Sequence, residues 1–129
     1  MEELTRRLAT ARKALATIRE ALREPKTTLV RDASIQRFEY SFETAWKAGQ
    51  RYLRDREGLD RASPASVLRS CHAIGLLDEN QARLGLRMVE DRNLTVHTYN
   101  EKLAEEIYAR LDPYCTLMEV WLGAIAAKA

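Results

Sequence analysis

The sequence predicts an all-α protein, an antiparallel four-helix bundle with one additional short helix. Apolar residues recur at alternating spacings of three and four over three long stretches, which places them as single stripes on helices. Helix-start chemistry stands at Ser63-Pro64 and at Asp78, where a side-chain oxygen can cap the first free N–H groups. No stretch of useful length alternates apolar and polar residues at the period of a strand.

The first stripe, Leu4, Leu8, Ala11, Leu15, Ile18 and Leu22, predicts a helix from Glu2 to Glu24. Pro25 disfavours helical backbone in the residue before it, and Lys26-Thr27-Thr28 reads as a polar link. A second helix is expected from Asp32 or Ser34 to Arg54, on the stripe Ile35, Phe38, Phe42, Ala45, Gly49 and Tyr52 with Trp46 widening it. Asp55 to Ala62 reads as a charged loop containing Gly58. Ser63-Pro64 then opens a short third helix that ends near Gly75. Asp78 caps a fourth, running to about Tyr99, whose apolar residues Leu77, Ala82, Leu84, Leu86, Met88, Val89, Leu94 and Val96 fall on more than one face, so several sides should be covered. From Asn100 the stripe Ala104, Ile107, Leu111, Tyr114, Met118, Trp121 and Ile125 predicts the last helix, with Asp112-Pro113 as a kink or as the cap and first residue of a new one.

Length and composition bound the function. A chain of 129 residues reads as one domain, residues 1–129, able to bury a core without disulfides or metal. A net charge of +2 does not announce nucleic-acid binding, so any RNA contact depends on a local patch. No apolar run is long enough to span a bilayer and the N-terminal Met1-Glu2-Glu3-Leu4-Thr5-Arg6-Arg7 is followed by no secretory apolar segment, so no membrane association and a cytoplasmic address are expected. Cys71 and Cys115 have no partner at zinc spacing and read as small buried hydrophobes. His72, adjacent to Cys71, points about 100° away on a helix, and no metal site is expected.

The chemistry concentrates in Arg92-Asn93-Leu94-Thr95-Val96-His97-Thr98-Tyr99-Asn100. On a continuous helix Tyr99 lies about 20° from Arg92, with Val96 about 40°, Asn93 about 100° and His97 about 140° to the other side. Arg92 and His97 are then not stacked, and a site using both calls for a second copy of the helix, as in a symmetric dimer. A histidine titrating near neutrality can move the proton of a ribose hydroxyl. An arginine fork can stabilise the charge of a phosphorane, and Asn93 can orient His97 or the phosphate.

With its surroundings, the chain resembles the nucleotidyltransferase substrate-binding proteins, a branch of the HEPN superfamily related to the HepT toxins. The resemblance rests on four places: Gln36-Arg37-Phe38-Glu39-Tyr40-Ser41-Phe42-Glu43-Thr44-Ala45-Trp46-Lys47; Ser63-Pro64 followed by Ala73-Ile74-Gly75-Leu76-Leu77; Arg92-Asn93; and His97-Thr98-Tyr99, which completes the motif R-x4-H-x-Y. It implies a HEPN-like bundle that forms a homodimer and works beside a separately encoded minimal nucleotidyltransferase. It places ATP and a divalent metal on that partner, with no cofactor in this chain. It also implies a toxin and antitoxin pair, in which Arg92 and His97 belong to a metal-independent ribonuclease, with Asn93 as the orienting residue read above, and Tyr99 accepts AMP. A non-enzymatic subunit that positions a substrate for the nucleotidyltransferase is the alternative. Asn100 departs from the aspartate common in the family at that position.

Each of these residues also has a structural reading. His97 can satisfy carbonyls at a helix end, Arg92 can pair with the neighbouring Glu90 or Asp91, and Tyr99 can be an amphipathic edge residue. Arg51, Arg54, Arg56 and Arg61, interleaved with Tyr52, can guide RNA, but Asp55, Glu57 and Asp60 dilute the cluster and favour a solvated helix end.

Overall fold

The computed structural model describes residues 2–129, and among these every regular element is helical. α1 spans Glu2–Arg23, α2 Thr28–Tyr52, α3 Pro64–Ala73, α4 Glu79–Leu94 and α5 Glu101–Lys128. A π-helical turn, Leu53–Glu57, extends α2, and a 3-10 turn, Thr95–His97, follows α4.

Polar cross-links fix the directions of the helices. Arg7 reaches the Lys47 carbonyl and Arg37 the Thr17 carbonyl, so α1 and α2 run antiparallel. Lys26 pairs with Glu105, and Arg19 with Asp112 and Glu119, so α1 and α5 are antiparallel as well. α2 and α5 therefore start at the same end, where the buried Arg31 guanidinium joins Asp32 to Glu101 and Glu105 at 2.6–2.9 Å. Hydrogen bonds to these carboxylates raise the Arg31 pKa; the bond from Arg31 lowers that of Glu101, and the bonds from Lys26 first and Arg31 second lower that of Glu105. α2 and α5 meet along the core, where the Phe38 and Tyr114 rings stack at 5.6 Å. α3 and α4 pack on each other and close the remaining side against α2 and α5.

Several features differ from the sequence-based expectation, among them residues 55–57, which lie in the π-helical turn rather than in the expected charged loop. α2 begins at Thr28 because Thr27, extended at φ −135° and ψ 169°, accepts the Val30 N–H at 3.0 Å. α5 continues through Pro113 as one helix, so of the two readings of Asp112-Pro113 the new helix is excluded. A proline inside a helix costs about 3 kcal/mol, and here Leu111, Tyr114, Cys115, Leu117 and Met118 are all buried around it. Their burial, at about 1.5–3 kcal/mol for each large apolar side chain, outweighs the break. α4 stops at Leu94 rather than Tyr99. The helix starts at Ser63-Pro64 and Asp78 stand where the sequence put them, each with a capping box, to Ser66 and to Gln81.

Cys71 and Cys115 are buried and unbonded, and burial pushes their thiols up to about 11 and about 12. Gly49 marks a tight approach in the core: a Cβ there would stand 2.8 Å from Trp121 Cζ2 and 3.0 Å from Val67 Cγ1. Gly49→Ala is therefore expected to destabilise by about 1–3 kcal/mol through overpacking, against the roughly 1 kcal/mol gain of an ordinary helical Gly→Ala change. Thermal denaturation reads the sign directly. No described helix is long and apolar enough to cross a membrane.

Candidate functional site

The face of α4 that enters the core is Ala82, Gly85, Met88 and Asp91, continued by Thr95. Asp91 is thus an acid in a buried stripe, and its partners explain it. Arg110 of α5 grips it with two hydrogen bonds, at 2.6 and 2.9 Å, and the Tyr114 hydroxyl donates a third at 2.5 Å. Burial pushes the Asp91 carboxyl up, and the bonds from Arg110 and Tyr114 outweigh it, leaving its pKa below the usual range. Burial and the same contact raise the Tyr114 phenol. This triad locks α4 to α5 just before the motif begins.

Arg92, one residue on, turns the other way, to α2. Its Nη1 lies 3.4 Å from Glu39 Oε2 and donates to Thr95 Oγ1 at 3.1 Å. The Thr95 hydroxyl is 3.1 Å from the same Glu39 oxygen and 2.7 Å from the Arg92 carbonyl, and its single proton serves one of the two. Either bond anchors Thr95 at the helix end, where the chain tightens into the 3-10 turn and Asn100, accepting the Leu103 N–H at 3.1 Å, caps α5. That is the reason α4 ends early, and it removes the continuous helical wheel over residues 92–99.

The turn brings His97 and Tyr99 together instead. His97 Nδ1 and Tyr99 Oη are 3.2 Å apart, with the rings edge to face at 5.8 Å. Both residues are exposed, Tyr99 at 82%. Arg92 is half-buried, and among the described residues no hydrogen bond joins it to His97. Asn93 is exposed and has no side-chain hydrogen bond among the described residues, so the neighbour His97 contacts is Tyr99. The ion-pair partner of Arg92 is Glu39, not Glu90 or Asp91. Sequence spacing from Arg92 does not reach Glu39, although Glu39 sits four residues after Ile35 beside the apolar stripe of α2, an unusual place for a carboxylate.

Chemically, the turn offers an exposed imidazole in contact with a phenol, and the end of α4 before it carries an arginine, directed to Glu39 and Thr95, whose Nη2 has no partner among the described residues. These are groups for proton transfer and for holding a phosphate oxygen. Among the described residues, no group of three His, Cys, Asp or Glu side chains comes together to hold a metal ion.

Comparison with known proteins agrees with this architecture. The profile of the family "Nucleotidyltransferase substrate binding protein like" matches residues 6–127. No curated protein matches the chain. The crystal structure of ttk003001694 from Thermus thermophilus is similar at 56% identity, covering 89% of this chain and 98% of that one, with a TM-score of 0.86. HI0074 of Haemophilus influenzae, whose structure is described as the fold of a substrate binding domain of a nucleotidyltransferase, shares the fold at a TM-score of 0.68 and 19% identity, covering 97% of this chain and 98% of that one. With the match running through nearly its whole length, the chain belongs to the nucleotidyltransferase substrate binding protein like family.

Proposed function

We propose that this chain is a HEPN-type, HepT-like subunit that works with a separately encoded minimal nucleotidyltransferase in a toxin and antitoxin pair. Its turn after α4 cleaves RNA without metal and is silenced by AMP transfer to Tyr99. The observation that carries this reading is the exposed His97 and Tyr99 contact at 3.2 Å. In cleavage, His97 of one protomer takes the 2′-OH proton and the freed oxygen attacks phosphorus. Arg92 steadies the charge on the non-bridging oxygens, and His97 of the second protomer gives a proton to the leaving 5′-oxygen. In silencing, Tyr99 Oη attacks the α-phosphorus of ATP held by the partner, pyrophosphate leaves, and the phenolic proton passes to His97 Nδ1. The AMP then stands against the imidazole that cleavage needs.

Two protomers are required because one chain carries one motif. Leu84, Leu86 and Val89 are half-buried and Leu94 and Val96 exposed, leaving on α4 and its turn an apolar surface that a second copy would cover. The test is cleavage of single-stranded RNA by the purified chain with EDTA present. Cleavage that persists in EDTA supports the reading, and cleavage that requires a divalent ion contradicts it. The description of HI0074 and of the family favours a second reading, a non-enzymatic subunit that positions a substrate for the nucleotidyltransferase. A wild-type chain inert on several RNAs, yet needed for the partner's nucleotidyl transfer to a separate substrate, selects it.

A further inference from the structure

At the far end of α2 the helix widens into its π-helical turn, and Gly58, at φ 66°, reverses the chain in a conformation that side chains rarely adopt. Gln50 Nε2 then pins the returning loop by the Arg61 carbonyl at 2.7 Å. This folding-back creates a cleft of about 300 Å³ between α1, α2 and the loop, whose walls carry Arg7, Arg51, Arg54 and Arg61 against one carboxylate, Asp60.

Three of the four guanidinium groups are held from behind by Nε: Arg7 by Glu3 at 2.8 Å, Arg51 by Asp55 at 3.0 Å and Arg61 by Ser70 Oγ at 2.9 Å. In each, Nη2 has no partner among the described residues, and Arg54 has no polar partner there. Glu3 and Asp55 compensate part of the charge of Arg7 and Arg51, while Arg54 and Arg61 lack a carboxylate partner, and the repulsion that remains is a cost that an anion between them offsets. Forks fixed at Nε with free outer nitrogens are preorganised for phosphate oxygens.

We infer that this cleft binds a compact polyphosphate, either pyrophosphate or the triphosphate of a nucleotide. Counting Glu3 and Asp55, which pair with Arg7 and Arg51, the four arginines face three carboxylates; Arg54 and Arg61, without a carboxylate of their own, and the free outer nitrogens of the other two set the preference for phosphate oxygens. The cleft offers no aromatic face on which bases can stack, because Tyr52 is buried, and that argues against a single RNA strand as the ligand. The site lies about 18 Å along α2 from Glu39, by helical rise from position 39 to 51, and does not rest on the function proposed above.

Isothermal titration of the full chain with inorganic pyrophosphate, ATP and adenosine tests it. Pyrophosphate and ATP should bind and adenosine should not; ATP tighter than pyrophosphate identifies a nucleotide as the ligand, and equal affinities identify the polyphosphate alone. Arg54→Ala should weaken binding about tenfold with the melting temperature unchanged, since Arg54 holds nothing else. Arg92→Ala should bind as wild type. Absence of binding at millimolar pyrophosphate or ATP overturns the inference, as does undiminished affinity in Arg54→Ala or loss in Arg92→Ala instead. So does a short single-stranded RNA that binds through Arg54 and is not displaced by pyrophosphate.

Discussion

His97→Ala is expected to lower the proposed RNA cleavage by about 10²- to 10⁴-fold, the span that a general acid or base commonly contributes. The fold should be untouched, because His97 is exposed and its side-chain contact is the Tyr99 phenol. Arg92→Ala should lose a comparable factor by removing transition-state charge stabilisation. It should also cost some stability, since Arg92 is half-buried and bridges α4 to Glu39 of α2. Mixing the two variants tests the two-histidine mechanism: a heterodimer holds one His97 and one Arg92, so it should stay as inactive as either variant, and recovered activity would show that a single imidazole suffices. Initial rates on a fluorescent single-stranded RNA, with circular dichroism to confirm folding, check all three. A His97→Ala variant that cleaves at the wild-type rate refutes the assignment.

Asp91→Ala destabilises the chain by about 3 kcal/mol, lowering the melting temperature by about 10 °C. The cost is the unpaired buried Tyr114 hydroxyl and the Arg110 guanidinium rather than the lost carboxylate itself. Arg110 is 28% exposed and regains some water, which keeps the figure below that of a fully buried broken pair. The same residue sets a pH dependence. Its folded pKa is depressed, so its contribution is complete above the unfolded value of about 3.9 and is lost as pH falls through the folded value. Urea titrations from pH 7 downward should show a steeper acid loss in wild type than in Asp91→Asn. Equal slopes would mean that Asp91 is not the group concerned.

The legible parts of this fold are those in which one residue type acts through the nearest turn. The stripes of α1, α2 and α5, the Ser63 and Asp78 caps and the buried cysteines follow from local spacing and polarity. What sequence spacing missed depends on contacts between distant segments. Thr27 looked like a linker residue because Leu29 beyond it is exposed and Arg31 is a buried charge, satisfied only by α5. Pro113 is tolerated because the core on both sides of it is worth more than one lost hydrogen bond. At the candidate site the residue types Arg92, His97 and Tyr99 were readable, but their geometry was not. Thr95 and Glu39 end the helix early and turn His97 onto Tyr99. The available signals were acids at or beside apolar stripes, Asp91 three residues after Met88 and Glu39 next to Phe38, each of which implied a basic partner elsewhere.

The most direct test is mass spectrometry of this chain after incubation with its nucleotidyltransferase, ATP and a divalent metal. The account predicts an AMP adduct on Tyr99, absent in Tyr99→Phe, and loss of RNA cleavage in proportion to the modified fraction. No adduct from a partner shown to be active, or an adduct undiminished in Tyr99→Phe, would contradict it.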